Sequence, residues 1–552
     1  MNQYTIGLDF GTESARAVLV DVATGETIAT AICPYNDGAI VQNLPGSDEP
    51  LPPDWALQNP ADWLAALKTI VPAVLAESGV AGRDVIGLGI DFTACTVLPS
   101  ANDGAPLCTL EAYRNQPHAW PKLWKHHAAQ PQADRINALA TDRDEPWLAR
   151  YGGKISSEWL VPKALQILEE NPELYAVTQT FVEGCDWLAW QLTGVLARNA
   201  CAAGYKATWH KTLGYPSDEF LAALHPGLAG LYRTKLSGPV LPPGARIGGL
   251  TVAWAKTLGL RPGAPVGAPI IDAHAAVLGG GVTGPGTMFM IMGTSTCHML
   301  MSPKDVLVEG ISGVVEDGIA PGLFGYEAGQ AGVGDIFAWF VEHGVPPAYH
   351  AEAERRAVSL HTVLAEKAVR QRPGESGLLA LDWWNGNRST LVDADLSGLL
   401  IGATLATRPE DVYRALIEAT AYGTRIIIEA FTEQSVPVET IIAAGGLTKN
   451  SLLMQIYADV TGRELAVAGA EQASALGAAM LGAVAAGKSG GGYDSLASAA
   501  TQMAPPPAKV YRPVQEHIAP YETLYAEYRR LYDYFGRGEN KVMKTLRRLW
   551  KE

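Results

Sequence analysis

The sequence predicts a layered α/β protein built from two related halves. Three observations point there. Apolar strand-like runs alternate with amphipathic helical stretches along most of the 552 residues, the pattern of sheets covered by helices. A strand, glycine turn and strand open the chain, and a similar segment returns about 280 residues later. The length also suits more than one domain, at roughly 100–200 residues each.

Residues 4–21 read as a hairpin around Gly11-Thr12-Glu13-Ser14, and Thr24-Gly25-Glu26 turns the chain into a third strand. Residues 62–75 carry apolar groups at helical spacing. Residues 85–91 form a buried-type strand that runs into Asp91-Phe92-Thr93-Ala94-Cys95-Thr96. Helices are expected over 156–169 and 186–192, and a short strand over 265–272. The second half opens on an apolar hairpin, 287–301, around Gly293-Thr294-Ser295-Thr296. Residues 409–434 read as a long amphipathic helix, and 440–446 as a strand entering a glycine turn. Residues 449–461 and 472–486 are two further helices. Residues 488–493 read as a flexible surface loop, and 516–552, rich in Tyr, Arg and Lys, as a helical tail on the surface.

Hydrophobic residues make up 48% and charged residues 18%. That is globular composition and excludes a disordered chain. Lys plus Arg is 42 against 57 Asp plus Glu, a net charge of −15. This argues against nucleic acid or an anionic membrane as partner and leaves room for a small anion held by local positive potential. Six cysteines with no CxxC pair are too sparse for a disulfide framework and are expected to be reduced thiols in the cytoplasm. MNQYTIGLDFG lacks the basic region and apolar run of a signal peptide. The most apolar helix, 473–486, is too short and too rich in Ala and Gly for a membrane span.

The string from Gly482 to Ser489 matches a phosphate loop, G-x-x-x-x-G-K-[ST]. It stands at the end of a helix, where the dipole repels phosphate, so it is set aside. The two hairpins offer phosphate sites instead, since a tight Gly-Thr/Ser turn exposes several N–H groups and hydroxyls at one point. Asp9 ends the first strand, where a carboxylate facing phosphates calls for a bridging cation such as Mg²⁺; the alternative is an Asp that caps its own turn. Asp272 stands at a strand end. A carboxylate there accepts a proton from an attacking hydroxyl or caps a helix, and the residue pattern leaves both readings open. His274 is read as a packed core histidine. Gly445-Gly446-Leu447-Thr448-Lys449-Asn450 joins a strand to a helix and lets a nucleoside ring approach the backbone. The 329–334 segment, with Gly332 and Gly334, opens another helix that could line the same site.

Together, and in this order, Gly7-Leu8-Asp9-Phe10-Gly11-Thr12, the Asp272 segment, Met292-Gly293-Thr294-Ser295-Thr296 and Gly445 to Asn450 resemble the FGGY carbohydrate kinases. The resemblance runs from Tyr4 to about Pro513. It implies two actin-like (ribonuclease H-like) domains flanking a cleft that binds nucleotide and sugar. The expected boundaries are 1–282 for an N-terminal sugar-binding domain, 283–512 for a C-terminal nucleotide-binding domain and 513–552 for the tail. Within the family, residues 89–96, 123–129, 204–209 and 326–330 resemble members that act on L-ribulose. Ala94 and Val97 stand where those members more often carry Ser and Met.

The resemblance implies ATP-dependent phosphorylation of the terminal hydroxyl of L-ribulose to L-ribulose 5-phosphate, in L-arabinose catabolism. D-ribulose, xylulose or a related polyol is the alternative acceptor. Asp272 is the implied general base. Ala94, through its backbone, with Lys206 and Glu327, is implied to contact the ketopentose. Thr12 and Gly293 to Ser295 are implied to hold phosphates, Gly334, Gly446 and Asn450 to surround the nucleotide, and Asp9 to lie near Mg²⁺. Lys206 donates and Glu327 accepts, so a mismatched epimer would leave one of them unpaired. For the tail, a homodimer contact and a solvent-exposed amphipathic helix both remain open.

Overall fold

The computed structural model describes residues 2–551, which divide into two compact units. The first unit takes the chain up to Gly284, together with Val314–Gly325 and Ala470–Pro505. Strands β1 (Tyr4–Phe10), β2 (Ser14–Asp21) and β3 (Thr27–Pro34) form the expected antiparallel meander. Helix α1 (Pro60–Ser78) starts on the Asn59 cap and ends at Gly79, φ 69°, which accounts for its extra turn beyond the apolar spacing. Strand β4 (Val85–Phe92) pairs parallel with β1. It leads through a turn to β5 (Val97–Ser100), which pairs antiparallel with β6 (Thr180–Glu183) after helix α2 (Leu160–Glu170). Helix α3 (Ala200–Ala207) follows, then β7 (Arg246–Gly249).

The single strand expected over 265–272 is instead two short ones, β8 (Pro265–Gly267) and β9 (Ile270–Ile271), both parallel to β4. Asp272 opens helix α4 (Asp272–Gly279). The sheet order is β3-β2-β1-β4-β8-β7, with β9 also on β4. Leu8, Phe10, Trp63, Ile70, Ile90 and Val266 fill the core between sheet and helices.

The division by chain order is corrected by two later segments. The Ala473–Ala486 helix lies flat on β1 and β4. A Cβ at Gly7 would overlap the Ala475 carbonyl, and one at Gly89 the Ala478 carbonyl. Its small residues therefore serve backbone-to-backbone packing. The 314–325 segment is pinned by Lys211, whose Nζ lies 2.9 Å from Glu316 Oε1 and 2.8 Å from Asp317 Oδ2. Residues 488–493 are not a loose loop either, since Tyr493 Oη donates to the Val22 carbonyl at 2.6 Å.

The second unit contains Pro285–Gly313, Tyr326–Gly469 and Pro506 onward. Strands β10 (Gly286–Met292) and β11 (Thr296–Ser302) are the second hairpin. With β12 (Gly313–Glu316), β13 (Phe324–Gln330), β14 (Val438–Ala444), β15 (Leu465–Val467) and β16 (Lys509–Tyr511), they give the order β12-β13-β11-β10-β14-β15-β16; of β12 only Gly313, and of β13 only Tyr326 onward, are counted in this unit. Helices α5 (Gly334–His343), α6 (Pro409–Glu433) and α7 (Ser451–Thr461) belong to this unit. In each sheet the hairpin's first strand sits centrally, its own return strand on one side and a parallel strand on the other. The expected two halves are thus two ribonuclease H-like sheets.

The tail is not a separate segment. Helix α8 (Gln515–Gly536) buries Tyr521, Tyr525, Tyr528 and Tyr532 along one face. Tyr525 Oη donates to Glu429 Oε2 of α6 at 2.6 Å, and Tyr528 Oη to Asp382 Oδ1 at 2.8 Å. Helix α9 (Val542–Lys551) leaves Leu546, Leu549 and Trp550 in solvent. Among the described residues all six cysteines are free, and no helix is long and apolar enough to cross a membrane.

Candidate active site

The first unit collects carboxylates at its strand ends. Asp9 and Asp91 occupy the same level of the parallel β1–β4 pair. Ile270 of β9 pairs with Asp91, which delivers Asp272 to the same end of the sheet. Asp9 is 8% exposed, and its Oδ2 lies 3.4 Å from Arg16 Nε. Burial raises the Asp9 carboxyl above the usual range, opposed by the Arg16 charge. Asp91 is fully buried, and its carboxyl is pushed well up by that burial and then by the charges of Asp9 and Asp272. The Asp91 and Asp9 carboxyls also interact directly, which raises Asp91 and lowers Asp9. Asp272 is half-buried at the first position of α4, and its Oδ1 accepts the Ala273 N–H at 2.6 Å. It is therefore a residue of the helix's first turn, not a cap preceding it.

The Thr12 turn is braced from outside. Gln58 Nε2 donates to the Thr12 carbonyl at 2.8 Å, and Trp124 Nε1 to Thr12 Oγ1 at 3.1 Å. Ala94 lies in the β4–β5 turn, where its carbonyl accepts from Thr96 Oγ1 at 3.4 Å. Lys206 sits in the last turn of α3, 7% exposed, with Nζ 5.8 Å from the Trp159 and Tyr205 rings. The Tyr205 ring packs 4.5 Å from that of His274, which ties α3 to α4. His274 is accordingly buried, at 1% exposure. Ala94, Lys206, Asp9, Thr12 and Asp272 thus all belong to the first unit.

The second unit gathers the other strings. Gly293 N–H donates to the Ser295 carbonyl at 2.9 Å and leaves Thr294 exposed at the tip. Gly334 N–H donates to the Gly293 carbonyl at 3.0 Å, and Val333 and Asp335 donate to that of Thr294. Gly445, φ 100°, abuts Met292 at the end of β10, where a Cβ would overlap the Met292 carbonyl. Gly446 faces open space. Hairpin, 334 helix start and 445–446 turn therefore meet at one place. Asn450 is the N-cap of α7: its Oδ1 accepts from Leu452 and Leu453 N–H at 3.1 and 3.2 Å. Glu327 lies in this unit and not with Lys206. It is 5% exposed, and Arg388 Nη2 holds its Oε1 at 2.7 Å.

Sequence reasoning assigned no role to Asp91, Arg16 or Arg388. Asp91 stood within the quoted Asp91–Thr96 string, but its place opposite Asp9 depends on a strand register that the string does not show. Arg388 had no signal at all.

Two ribonuclease H-like sheets, each ending in a Gly-Thr hairpin, with carboxylates at the strand ends of one, define a phosphotransferase of the actin-like class. Family models extend this to most of the chain. Residues 4–279 match the N-terminal domain, and 288–486 the C-terminal domain, of the FGGY family of carbohydrate kinases. The chain belongs to that family and is a sugar kinase. It is 57% identical over 551 residues to a curated protein named Ribulokinase from Geobacillus thermodenitrificans, covering 100% of this chain and 97% of that one. Ribulokinase from Mycolicibacterium smegmatis is 50% identical over 99% of this chain and 96% of its own. Among solved structures, a xylulose kinase from Rhodospirillum rubrum superposes with TM-score 0.78 at 22% identity, over 96% of this chain and 98% of that one. That likeness bears on the fold alone.

Proposed function

We propose that the protein transfers the γ-phosphoryl group of ATP to the terminal hydroxyl of L-ribulose, giving L-ribulose 5-phosphate in L-arabinose breakdown in the cytoplasm. One observation carries the choice of sugar: full-length relatives at 50–57% identity bear the name Ribulokinase. Asp272 takes the proton of the attacking hydroxyl, the new O–P bond forms, and the bond from the γ-phosphorus to the bridging oxygen breaks toward ADP. The Ala94 backbone, Lys206 and Glu327 read the ketose. Thr12 and Gly293 to Ser295 hold phosphate oxygens through N–H groups and hydroxyls. Gly334, Gly446 and Asn450 surround the nucleoside, with Asn450 acting by fixing the start of α7.

Asp9 and Asp91 suit Mg²⁺. They supply hard oxygen donors at one level of the β1–β4 pair. Among the described residues no cluster of three or more His, Cys, Asp or Glu could hold a metal. When bound, Mg²⁺ neutralises charge on the phosphates. The apolar face of α9 supports self-association into a homodimer, which light scattering with and without residues 541–552 tests.

The test of the substrate is a panel of purified ketoses and polyols with ATP, read as ADP release. L-ribulose is expected to lead. D-xylulose exceeding it about tenfold in catalytic efficiency would overturn the choice of sugar, a difference of about 1.4 kcal/mol in transition-state binding.

A further inference from the structure

Beneath the Ala94 turn lies a buried cation that none of these roles uses. Lys163 sits on α2 at 1% exposure. Its Nζ donates to three main-chain carbonyls: Cys95 at 2.6 Å, Leu123 at 3.0 Å and Lys122 at 3.2 Å. An ammonium has three N–H groups, and here each has an acceptor.

These carbonyls come from two segments that the ammonium draws together. Cys95 directly follows Ala94. Residues 122–123 run beside Val97, with Val97 N–H donating to the Lys122 carbonyl at 3.2 Å and Lys122 N–H to the Val97 carbonyl at 2.9 Å. The turn needs such a hold, because Cys95 has φ 57°, a conformation that costs a residue bearing a Cβ. Two backbone ties outside the turn are Thr93 N–H to the Phe10 carbonyl at 3.0 Å and Gly184 N–H to the Thr96 carbonyl at 2.8 Å. Those ties grip the two ends of the turn. Within it, Thr96 Oγ1 reaches the Ala94 carbonyl at 3.4 Å and Thr93 Oγ1 at 3.0 Å. Lys163 grips the Cys95 carbonyl from below and joins the turn to residues 122–123.

Burial of the ammonium is unfavourable and lowers its proton affinity, with Glu183 and Glu158 among the charges that oppose this. An apolar side chain at the same place would avoid that cost but leave the Cys95 carbonyl without this donor. The charge is therefore better explained by what it holds than by stability.

We propose that Lys163 is a positioning residue for ketose recognition: its ammonium gathers the Cys95, Lys122 and Leu123 carbonyls and so fixes the Ala94 backbone in the place where the sugar reads it. This rests on Ala94 being a ketose contact. The test is steady-state kinetics of the full chain with Lys163→Met, and with Lys206→Met as reference. Lys163→Met is expected to raise the L-ribulose KM about tenfold or more, to keep the ATP KM within about twofold, and to narrow the preference for L-ribulose over its epimers. Lys163→Gln, which retains neutral donors, is expected to recover part of the ketose KM.

A purely structural role would lower kcat with the folded fraction and leave both KM values alone, which overturns the proposal. An unchanged ketose KM in Lys163→Met, beside a raised one in Lys206→Met, overturns the proposal alone. Unchanged values in both overturn it together with the sugar-site reading. If neither Lys163 variant folds, Lys163 serves stability and the proposal falls.

Discussion

Asp9 and Asp91 stand opposite each other across the parallel β1–β4 pair, two carboxyls with Arg16 as the neighbouring cation of Asp9. Both are raised, Asp91 more strongly. A carboxyl whose folded pKa exceeds its unfolded value holds its proton more tightly when folded. Its contribution to stability is complete below the unfolded pKa and is lost as pH rises through the folded one. Without Mg²⁺ and nucleotide, the wild type should therefore lose stability as pH rises above the ordinary carboxylate range, from about pH 4 upward. Asp91→Asn removes one carboxyl and relieves the other, so its thermal midpoint should fall less over that range. Parallel midpoint curves for the two proteins would contradict the shared burial of charge.

In the proposed reaction Asp272 is the general base. It is half-buried, and its Oδ1 contact to Ala273 is one an Asn carbonyl would also accept. Asp272→Asn should fold, bind ATP with unchanged affinity and lose about 10²–10⁴ in turnover, the usual worth of a general base. Calorimetric nucleotide binding and ADP release together check it. Turnover close to wild type would remove Asp272 from the reaction.

Lys122 gives a pH dependence of opposite sign. Its Nζ lies over the Trp55 ring, 4.5 Å from the centroid, buried and without a hydrogen-bond acceptor among the described residues. Burial, then the Lys163 charge, holds it down to about 7. His118 and His126 pack edge-on against the same ring. Burial lowers both, His118 to about 4, so they stay neutral in this range. Between roughly pH 7 and 10.5 the unfolded chain binds the extra proton, so stability rises with pH. Lys122→Met should flatten that rise and be more stable near neutral pH, by on the order of 1–3 kcal/mol after the lost cation–π contact. Urea unfolding at about pH 7 and pH 10 reads this. A variant less stable than the wild type at neutral pH would refute it.

The tail helix offers a matched pair of substitutions. Asp382 is buried, and its two oxygens accept from Tyr528 Oη at 2.8 Å and Gln330 Nε2 at 2.7 Å. Tyr528→Phe deletes the first of these and should cost about 1–3 kcal/mol. Arg530 pairs with Glu527 in solvent, so Arg530→Ala should stay within about 1 kcal/mol. Equal losses from the two would mean that α8 is loosely held.

These cases show what was legible in advance. Hairpins, helices and glycine turns are local strings, so Asp9, Thr12, Gly293 and Gly446 could be picked out from the residues beside them. Asp91 could not be set against Asp9, because their pairing depends on register between strands about 80 residues apart. Lys163 carries no signal in the string around it, since its three acceptors lie 40 to 68 positions away. Residues 516–552 are expected as a surface tail, yet tyrosines at spacings of three and four form one buried stripe of α8. Chain order hid the return of the Ala473–Ala486 helix to the first sheet. Its small residues were visible, but the backbone they pack against was not.

That return is testable through Gly7. A Cβ there would run into the Ala475 carbonyl and the Ala479 nitrogen. Both are main-chain atoms of a helix that also presses on β4 at Gly87 and Gly89, so no side-chain rotation can relieve the overlap. The helix must lift off the sheet that carries Asp9 and Asp91, or the sheet must bend. Gly7→Ala should therefore cost about 3 kcal/mol or more, at the upper end for overpacking. Soluble yield and thermal midpoint should both drop. Gly490→Ala, whose nearest neighbour is the Ala486 Cβ at 3.6 Å, should change stability by less than about 1 kcal/mol. A Gly7→Ala protein melting with the wild type would show that the Ala473–Ala486 helix does not rest on β1.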